Sequence, residues 1–490
     1  MKRLAIKEEM ARSGVRFGTS GARGLVSSMT DELCVTYALA FLQHLSDSDQ
    51  LREGSSLCLG GDRRPSTPRI LRALGAAAKH YGIAVDDQGL LPSPALVLHG
   101  MKKANPTIMV TGSHIPEDRN GLKFTTAKGE IDKDDEKGML AQIVELPDWF
   151  DEDGSLTEEL EAPKTNSKAT ESYEERFTEA FPSGCLKGMR LGVFGHSAVG
   201  RELMVRLYER MGAEIIQLGF SESFVPVDTE AIRAEDVRSA KKWAKDERLD
   251  AIVSTDGDSD RPLLADEKGT WFRGDIAGIH TARFLRADAV STAVSCNTAL
   301  ELSGFFPRVE RTRIGSPYVI EGMEKLQKKG ASGVVGYEAN GGFLQLSPLA
   351  VRDGGELSPL PTRDPTIVHL ALLLSAREAG VPLSRLNEAL PQRVTASGRD
   401  QKFATERSMQ LLQKLRAADS EKLAELIGLG TIDKVDNKDG LRLSLRTGEV
   451  LHLRPSGNAP ELRCYAEAES DADANRLVEY GLSRAARLTP

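Results

Sequence analysis

The sequence contains no CxxC pair, and its five cysteines (Cys34, Cys58, Cys185, Cys296, Cys464) lie far apart. The odd count and the wide spacing argue against a disulfide framework and for the reduced thiols of a cytosolic protein. No apolar run approaches the ~20 residues needed to span a bilayer. The N-terminal stretch MKRLAIKEEMARSGVRFG lacks the apolar core of a signal peptide. Positive charge is also in short supply. Lys and Arg number 64 against 72 Asp and Glu, a net charge of −8, which argues against a general nucleic-acid binder. The expectation is a cytoplasmic enzyme with no membrane or nucleic-acid partner, in which local basic clusters draw in any anionic substrate.

What is present is length and alternation. The chain has 490 residues, enough for three or four domains at about 150 residues each. Apolar strand patterns are followed by helical ones: SLCLGGD before RILRALGAAAKHYG, and MRLGVFG before GRELMVRLYERMG and then AEIIQLG. PTIMVTG, LDAIVST, ADAVSTAVS and ASGVVGYE read as further buried strands. This alternation predicts α/β domains with mainly parallel sheets. The acidic, polar segment Asp148–Glu175 reads as a boundary, and LPQRVTASGRD as a second. After the second come a helical SMQLLQKLRAA and the alternating strands GLRLSLRTG and EVLHLRP, as in a small α+β domain.

Five stretches carry candidate chemistry. DGDSDR, Asp256–Arg261, follows the strand LDAIVST, so its carboxylates fall in a turn at a strand end, where α/β sheets collect ligands. Like charges repel, and Asp256, Asp258 and Asp260 with open positions suit Mg²⁺; a solvated acidic turn is the plainer alternative. An EF-hand starting at Asp256 fails at its sixth position, where Arg261 replaces glycine. A haloacid-type phosphatase would use Asp256 as nucleophile and Asp258 as acid, leaving Asp260 and Arg261 without a role.

TGSHIPEDRNGLKF holds Gly112, expected to turn the backbone tightly and present Ser113 at a strand end, with Lys123 ten residues on as a possible base. The G-x-S-x-G elbow is absent, since Thr111 and Ile115 take the glycine positions. A phosphorylated serine would bring nearly two negative charges and could complete a Mg²⁺ shell. RFGTSGARG, Arg16–Gly24, is a donor-rich loop but not a Walker A loop. GYEANGG places Glu338 and Asn340 among glycines, suited to sugar hydroxyls. RPSGNAPELR offers Arg454, Ser456, Gly457, Asn458 and Arg463 to a phosphate. Each of these loops taken alone is also compatible with an ordinary turn.

Together, in this order and from about residue 16 to residue 465, the five stretches resemble the α-D-phosphohexomutase family: its serine loop, metal loop, sugar loop and phosphate loop. The resemblance implies three α/β domains (1–165, 166–271, 272–385) and a smaller C-terminal α+β domain (386–490) around a central cleft. It implies phosphoserine at Ser113 and Mg²⁺ held by Asp256, Asp258, Asp260 and a phosphoserine oxygen. Lys123, His114, Arg23 and Arg261 would be the other catalytic residues, with Lys123 as the base and the two arginines on the phosphoryl group. Arg16, Glu338, Asn340 and the phosphate loop would bind a sugar phosphate. The implied reaction interconverts hexose 6-phosphate and hexose 1-phosphate through a hexose 1,6-bisphosphate.

Some positions depart from the family's pattern. Ser316 in RIGSPY and Gly342 in the sugar loop stand where many relatives have histidine, and Asn458 and Ala459 where many have threonine and glutamate. GYEANGG looks most like the loop of bacterial phosphomannomutases, so mannose phosphate is the expected substrate. Glucose or glucosamine phosphate are the alternatives within the family, and a sugar-phosphate phosphatase or a non-catalytic sensor the alternatives outside it.

Overall fold

Short apolar strands flanked by capped amphipathic helices build the molecule, as a computed structural model of the chain describes for residues 2–18, 21–157, 164–456 and 461–488. The chain divides into two compact units, Met1–Ala287 with Asn340–Leu386, and Asp288–Ala339 with Asn387–Pro490. No single helix among the described residues is long and apolar enough to cross a membrane. Helix Pro365–Ala379 owes its apolar composition to nearly complete burial.

In the first unit one sheet runs in the order Arg16–Phe17, Ala22–Leu25, Arg119–Thr126, Thr107–Val110, Ser56–Gly61, Ala84–Leu90. Ser56–Gly61 is parallel to both Ala84–Leu90 and Thr107–Val110. Arg119–Thr126, however, is antiparallel to both of its neighbours. Two of the covering helices have legible ends. Thr30 accepts the Leu33 amide at the start of Asp31–Asp47, and Gly82, at φ +90°, closes Thr67–Tyr81. The second sheet runs Glu214–Leu218, Arg190–Phe194, Ala251–Thr255, Pro262–Ala265. Its first three strands are parallel and the last is antiparallel, so DGDSDR is the connection of a hairpin. The sheets are therefore mixed, with the antiparallel strands at the functional loops.

In the second unit, parallel strands pair in the order Arg308–Thr312, Ala289–Ala293, Val334–Tyr337. Helix Ser316–Lys328 packs on them at Gly322, where a Cβ would lie 2.3 Å from Ser291 Oγ. The C-terminal part is an antiparallel sheet, Val394–Asp400, Leu462–Ala468, Val450–Pro455, Leu441–Leu445, Ile432–Asp436, backed by helix Asp471–Leu488. The polar stretch expected as a boundary thus contributes a strand, Val394–Asp400. It lies at the sheet edge, where one flank and part of one face meet solvent and polar residues are tolerated.

Candidate active site

Ser113 follows strand Thr107–Val110 and is itself in the left-handed region, at φ 57°. The turn expected of Gly112 is made by the serine. Gly112 is needed for a different reason: a Cβ there would sit 2.7 Å from Arg64 Cζ. The Arg64 guanidinium is fully buried and donates to the carbonyls of Ser113 (3.0 Å), Ile115 (2.7 Å), Pro116 (2.7 Å) and Arg119 (2.9 Å). It also pairs with Asp62 and lies 4.1 Å from the centroid of the Phe224 ring. Asp62 in turn accepts the Thr111 hydroxyl at 2.7 Å, and Thr111 accepts the Ser113 amide at 2.7 Å. One buried arginine therefore holds a non-glycine residue in a conformation it rarely adopts. The sequence offered only a weak sign of this, an aspartate and two arginines (GGDRRP) after a buried strand.

This buried pair gives a first expected result. Arg64→Ala strands Asp62 and unties the serine loop. Breaking a buried pair costs about 3–5 kcal/mol, so the urea midpoint should fall clearly and activity should fall with it. An unchanged midpoint would show that the loop is held by something else.

Around Ser113 two of the sheets of the first unit bring the remaining groups together. Ser113 Oγ donates to Asp256 Oδ2 at 2.6 Å and lies 3.3 Å from His114 Nδ1. Arg261 Nη1 donates to that same Nδ1 at 3.0 Å. Lys123 arrives from the antiparallel strand Arg119–Thr126, and its Nζ donates to Asp258 Oδ2 at 2.5 Å and to Asp260 Oδ2 at 2.6 Å. Gly257 permits the approach of the two loops, since a Cβ there would meet the Ser113 carbonyl at 2.7 Å. Arg23 belongs to strand Ala22–Leu25, and among the described residues its buried Nε has no hydrogen-bond partner. Arg16, paired in register with Arg23, is exposed.

Further residues brace the aspartate loop that sequence reasoning did not single out. Ser93 donates to Asp258 Oδ2 at 2.6 Å. Asp256 Oδ1 accepts the amides of Asp260 and Arg261, both at 3.1 Å. Buried Arg363 donates to Asp260 Oδ2 at 3.3 Å. A Cβ on Gly342 would lie 2.5 Å from Arg363 Cδ, so this glycine makes room for the arginine. Nothing in the spacing of Arg363 or Ser93 announced a role, because only the folded chain brings them to Asp260 and Asp258.

The electrostatics follow from burial. One oxygen from each of Asp256, Asp258 and Asp260 lies within 4.8 Å of the others. At such a separation two unit charges repel by roughly 3.5 kcal/mol at an effective dielectric constant of about 20. Burial, with the Asp258 and Asp260 charges, raises Asp256 well above the usual carboxylate range. Burial opposes ionisation of Asp260, but Lys123, Arg363 and Arg261 outweigh it and hold Asp260 below that range. Burial would lower the Lys123 ammonium; Asp258 and Asp260 reverse this and raise it. Burial, then Arg261 and Arg23, push His114 down to about 2, so its imidazole stays neutral with Nδ1 as acceptor. Burial and Arg261 also lower Arg23, to about 10.

A divalent cation fits this cluster. Oδ1 of Asp258 and Oδ1 of Asp260 are buried without a hydrogen-bond partner among the described residues. Hard carboxylate oxygens are the donors Mg²⁺ takes. The crowding of Arg23, Arg261, Arg363 and Lys123 beside Ser113 further suits a dianion on the serine.

The other predicted residues belong to the sugar and phosphate loops. Asn340 is in the first unit, and its Oδ1 accepts the Gly342 amide at 2.8 Å, so part of its polarity shapes its own loop. Glu338 is buried in the second unit, just after strand Val334–Tyr337. Arg454 is the penultimate residue of strand Val450–Pro455 and pairs with Asp439 at 2.8 Å. Arg463, opposite it in register, is engaged by Glu461 at 2.8 Å. Arg399 is next to Arg463 on the adjacent strand, which makes a row of three arginines. The Ser456 amide donates to the Glu461 carbonyl at 3.0 Å. Gly457 and Asn458 lie outside the described residues.

Models of the phosphoglucomutase/phosphomannomutase family match the chain at residues 14–147 (α/β/α domain I), 171–269 (α/β/α domain II) and 406–480 (C-terminal domain). The chain belongs to this family. Its phosphoglucomutase/phosphomannomutase relatives include a phosphomannomutase of Salmonella muenchen, 43% identical over 474 residues that cover 96% of each chain. A phosphomannomutase of Sinorhizobium fredii is 40% identical, covering 96% of this chain and 98% of its own. The crystal structure of a phosphoglucomutase/phosphomannomutase family protein from Burkholderia thailandensis superimposes with a TM-score of 0.74 over 97% of each chain, at 20% identity, a likeness of fold. The family expected from the five loops is thus the one the chain belongs to.

Proposed function

We propose that the chain is a phosphomannomutase, reversibly converting mannose 6-phosphate and mannose 1-phosphate by way of phosphorylated Ser113 and a hexose 1,6-bisphosphate. The observation that carries this is the placement of a buried hydroxyl, Ser113 Oγ, against Asp256, one of three clustered carboxylates, with Lys123 and Arg363 on Asp260 and an Arg23 Nε that has no partner among the described residues. The two nearly full-length phosphomannomutase relatives support mannose as the sugar.

In this proposal Ser113 carries the phosphoryl group, and Arg23 and Arg261 hold its oxygens. Asp256, Asp258, Asp260 and a phosphoserine oxygen would hold Mg²⁺, which would supply Lewis-acid stabilisation of the phosphoryl charge. Lys123 takes the proton of the attacking sugar hydroxyl. Burial, Arg363 and Arg23 all favour its neutral form, and Asp258 and Asp260 oppose them. With those carboxylates engaged by a cation, Lys123 is left with the influences that make it a base. Neutral His114 keeps Arg261 in place through Nδ1. The row Arg399, Arg463, Arg454 gathers three guanidinium groups on adjacent strands, with Glu461 against the first two and Asp439 against the third. Arg454, Ser456, Gly457, Asn458 and Arg463 would take the phosphate that is not reacting, while Arg16, Glu338 and Asn340 meet the sugar. The proposal keeps the four-domain division, with boundaries near residues 165, 271 and 385.

A phosphatase using Asp256 as nucleophile is disfavoured locally, because one Asp256 oxygen accepts Ser113 and the other accepts two backbone amides. The test is a coupled assay with mannose, glucose and glucosamine 1-phosphates in parallel. Mannose phosphate is expected to turn over best, with glucose phosphate also accepted. Activity confined to glucosamine phosphate, or phosphate release without isomerisation, would refute the assignment.

A further inference from the structure

A single carboxylate in the second unit joins two loops that the five-motif pattern leaves separate. Asp439 lies in the turn between strands Ile432–Asp436 and Leu441–Leu445. Its Oδ1 accepts Nε of Arg454 at 2.8 Å, and its Oδ2 accepts the backbone amide of Ile314 at 2.9 Å. Ile314 immediately precedes Gly315, which opens helix Ser316–Lys328 at φ +132°.

The turn itself is stiff. Asp436 Oδ1 accepts the Lys438 amide at 2.8 Å, and the Asp439 carbonyl accepts from buried His452. Gly440, at φ +88°, lies where a Cβ would stand 2.3 Å from the Leu453 carbonyl, one residue before Arg454. Lys438 donates to the Arg311 carbonyl at 2.7 Å, and the Arg311 side chain donates to the carbonyls of Ala293, Cys296 and Asn297 at 2.7–3.0 Å. Asp439 is thus fixed from both sides in a half-buried position, with its side chain 16% exposed and that of Arg454 18%.

The geometry points to Asp439 as a positioning residue for substrate phosphate, acting through Arg454 and tying it to the RIGSPY turn. It rests on the phosphate-binding role proposed above for Arg454. An arginine has a long, freely rotating stem, and bidentate phosphate binding needs its planar fork in one orientation. Pairing through Nε fixes the plane of the guanidinium and leaves the two terminal nitrogens outside the pair, on the edge a phosphate takes. The negative charge of Asp439 would by itself repel phosphate, so its contribution is orientation, and the amide of Ile314 draws off part of that charge.

The experiment titrates mannose 6-phosphate calorimetrically into the full-length protein and two variants, so that no turnover is required. Asp439→Ala is expected to weaken binding about tenfold, the order of one charge-assisted hydrogen bond. Asp439→Asn has the same size but offers one acceptor to two donors, and should fall nearer the alanine variant than the wild type. Because Asp439 acts through Arg454, adding Asp439→Ala to Arg454→Ala should cost no more than about twofold beyond the single arginine variant. In steady state KM should rise in both directions with kcat within about twofold, whereas a merely structural loss would lower kcat and leave KM unchanged. An asparagine variant that binds like the wild type, or a full tenfold loss on the Arg454→Ala background, would overturn the role. A wild type that binds mannose 6-phosphate without isomerising it would defeat the phosphomannomutase reading and leave this one standing; a wild type that does not bind it at all would defeat both.

Discussion

Ser113→Ala is expected to lose mutase activity by about three orders of magnitude or more, since the residue proposed to accept and return the phosphoryl group is then missing. The fold should survive. Arg64 holds the loop through backbone carbonyls and Thr111 holds it through the amide, and alanine keeps both sets of bonds. Among the described residues, the side-chain bonds removed are the 2.6 Å donation to Asp256 and the 3.3 Å contact with His114 Nδ1, so the unfolding midpoint should move little. Phosphopeptide mass spectrometry of the wild type should find the phosphoryl group on residue 113 and on no neighbouring hydroxyl. An alanine variant with full activity would remove Ser113 from the mechanism.

The second large effect concerns the carboxylate cluster. Chelator-treated protein should be inactive and recover with added Mg²⁺, and Asp258→Asn should impair that recovery by about tenfold or more, because one proposed charged ligand is gone. Binding to the native state alone also stabilises, by about 2.7 kcal/mol when the ion is at a hundred times its Kd. The unfolding midpoint of the wild type should therefore rise with Mg²⁺, and that of Asp258→Asn should rise less at the same concentration. This second readout is independent of turnover. Full activity in the chelated protein with no metal added would exclude the ion.

Much of the site was legible because its chemistry is unusual for a sequence. Three carboxylates at alternate positions directly after the apolar strand LDAIVST have few stable explanations without a cation, and the fold places them in a buried hairpin connection. Ser113 was legible as a residue, but its conformation was assigned to the wrong neighbour. Glycine beside a serine suggests a tight turn, whereas Gly112 gives way to the Arg64 guanidinium and the serine itself takes the positive φ. Lys123 was singled out as a candidate base but not as part of a strand, because its strand is buried along nearly its whole length and shows no alternation. Arg64 and Arg363 were not legible. Arginine usually belongs to the surface, and each acquires its role only when segments about 50 and 100 residues away fold against it. The stretch Val394–Asp400 failed in the opposite direction, since an edge strand carries the polar residues expected of a linker.

The most direct test of the central claim is to follow one labelled phosphoryl group. Protein phosphorylated on Ser113 with isotopically labelled phosphate is mixed with unlabelled mannose 6-phosphate and quenched within a single turnover. The label is expected to leave Ser113 and appear in hexose phosphate, first in the 1,6-bisphosphate, with no matching release of inorganic phosphate. Label that stays on the protein while mannose 1-phosphate forms, or that leaves as inorganic phosphate, would contradict the account.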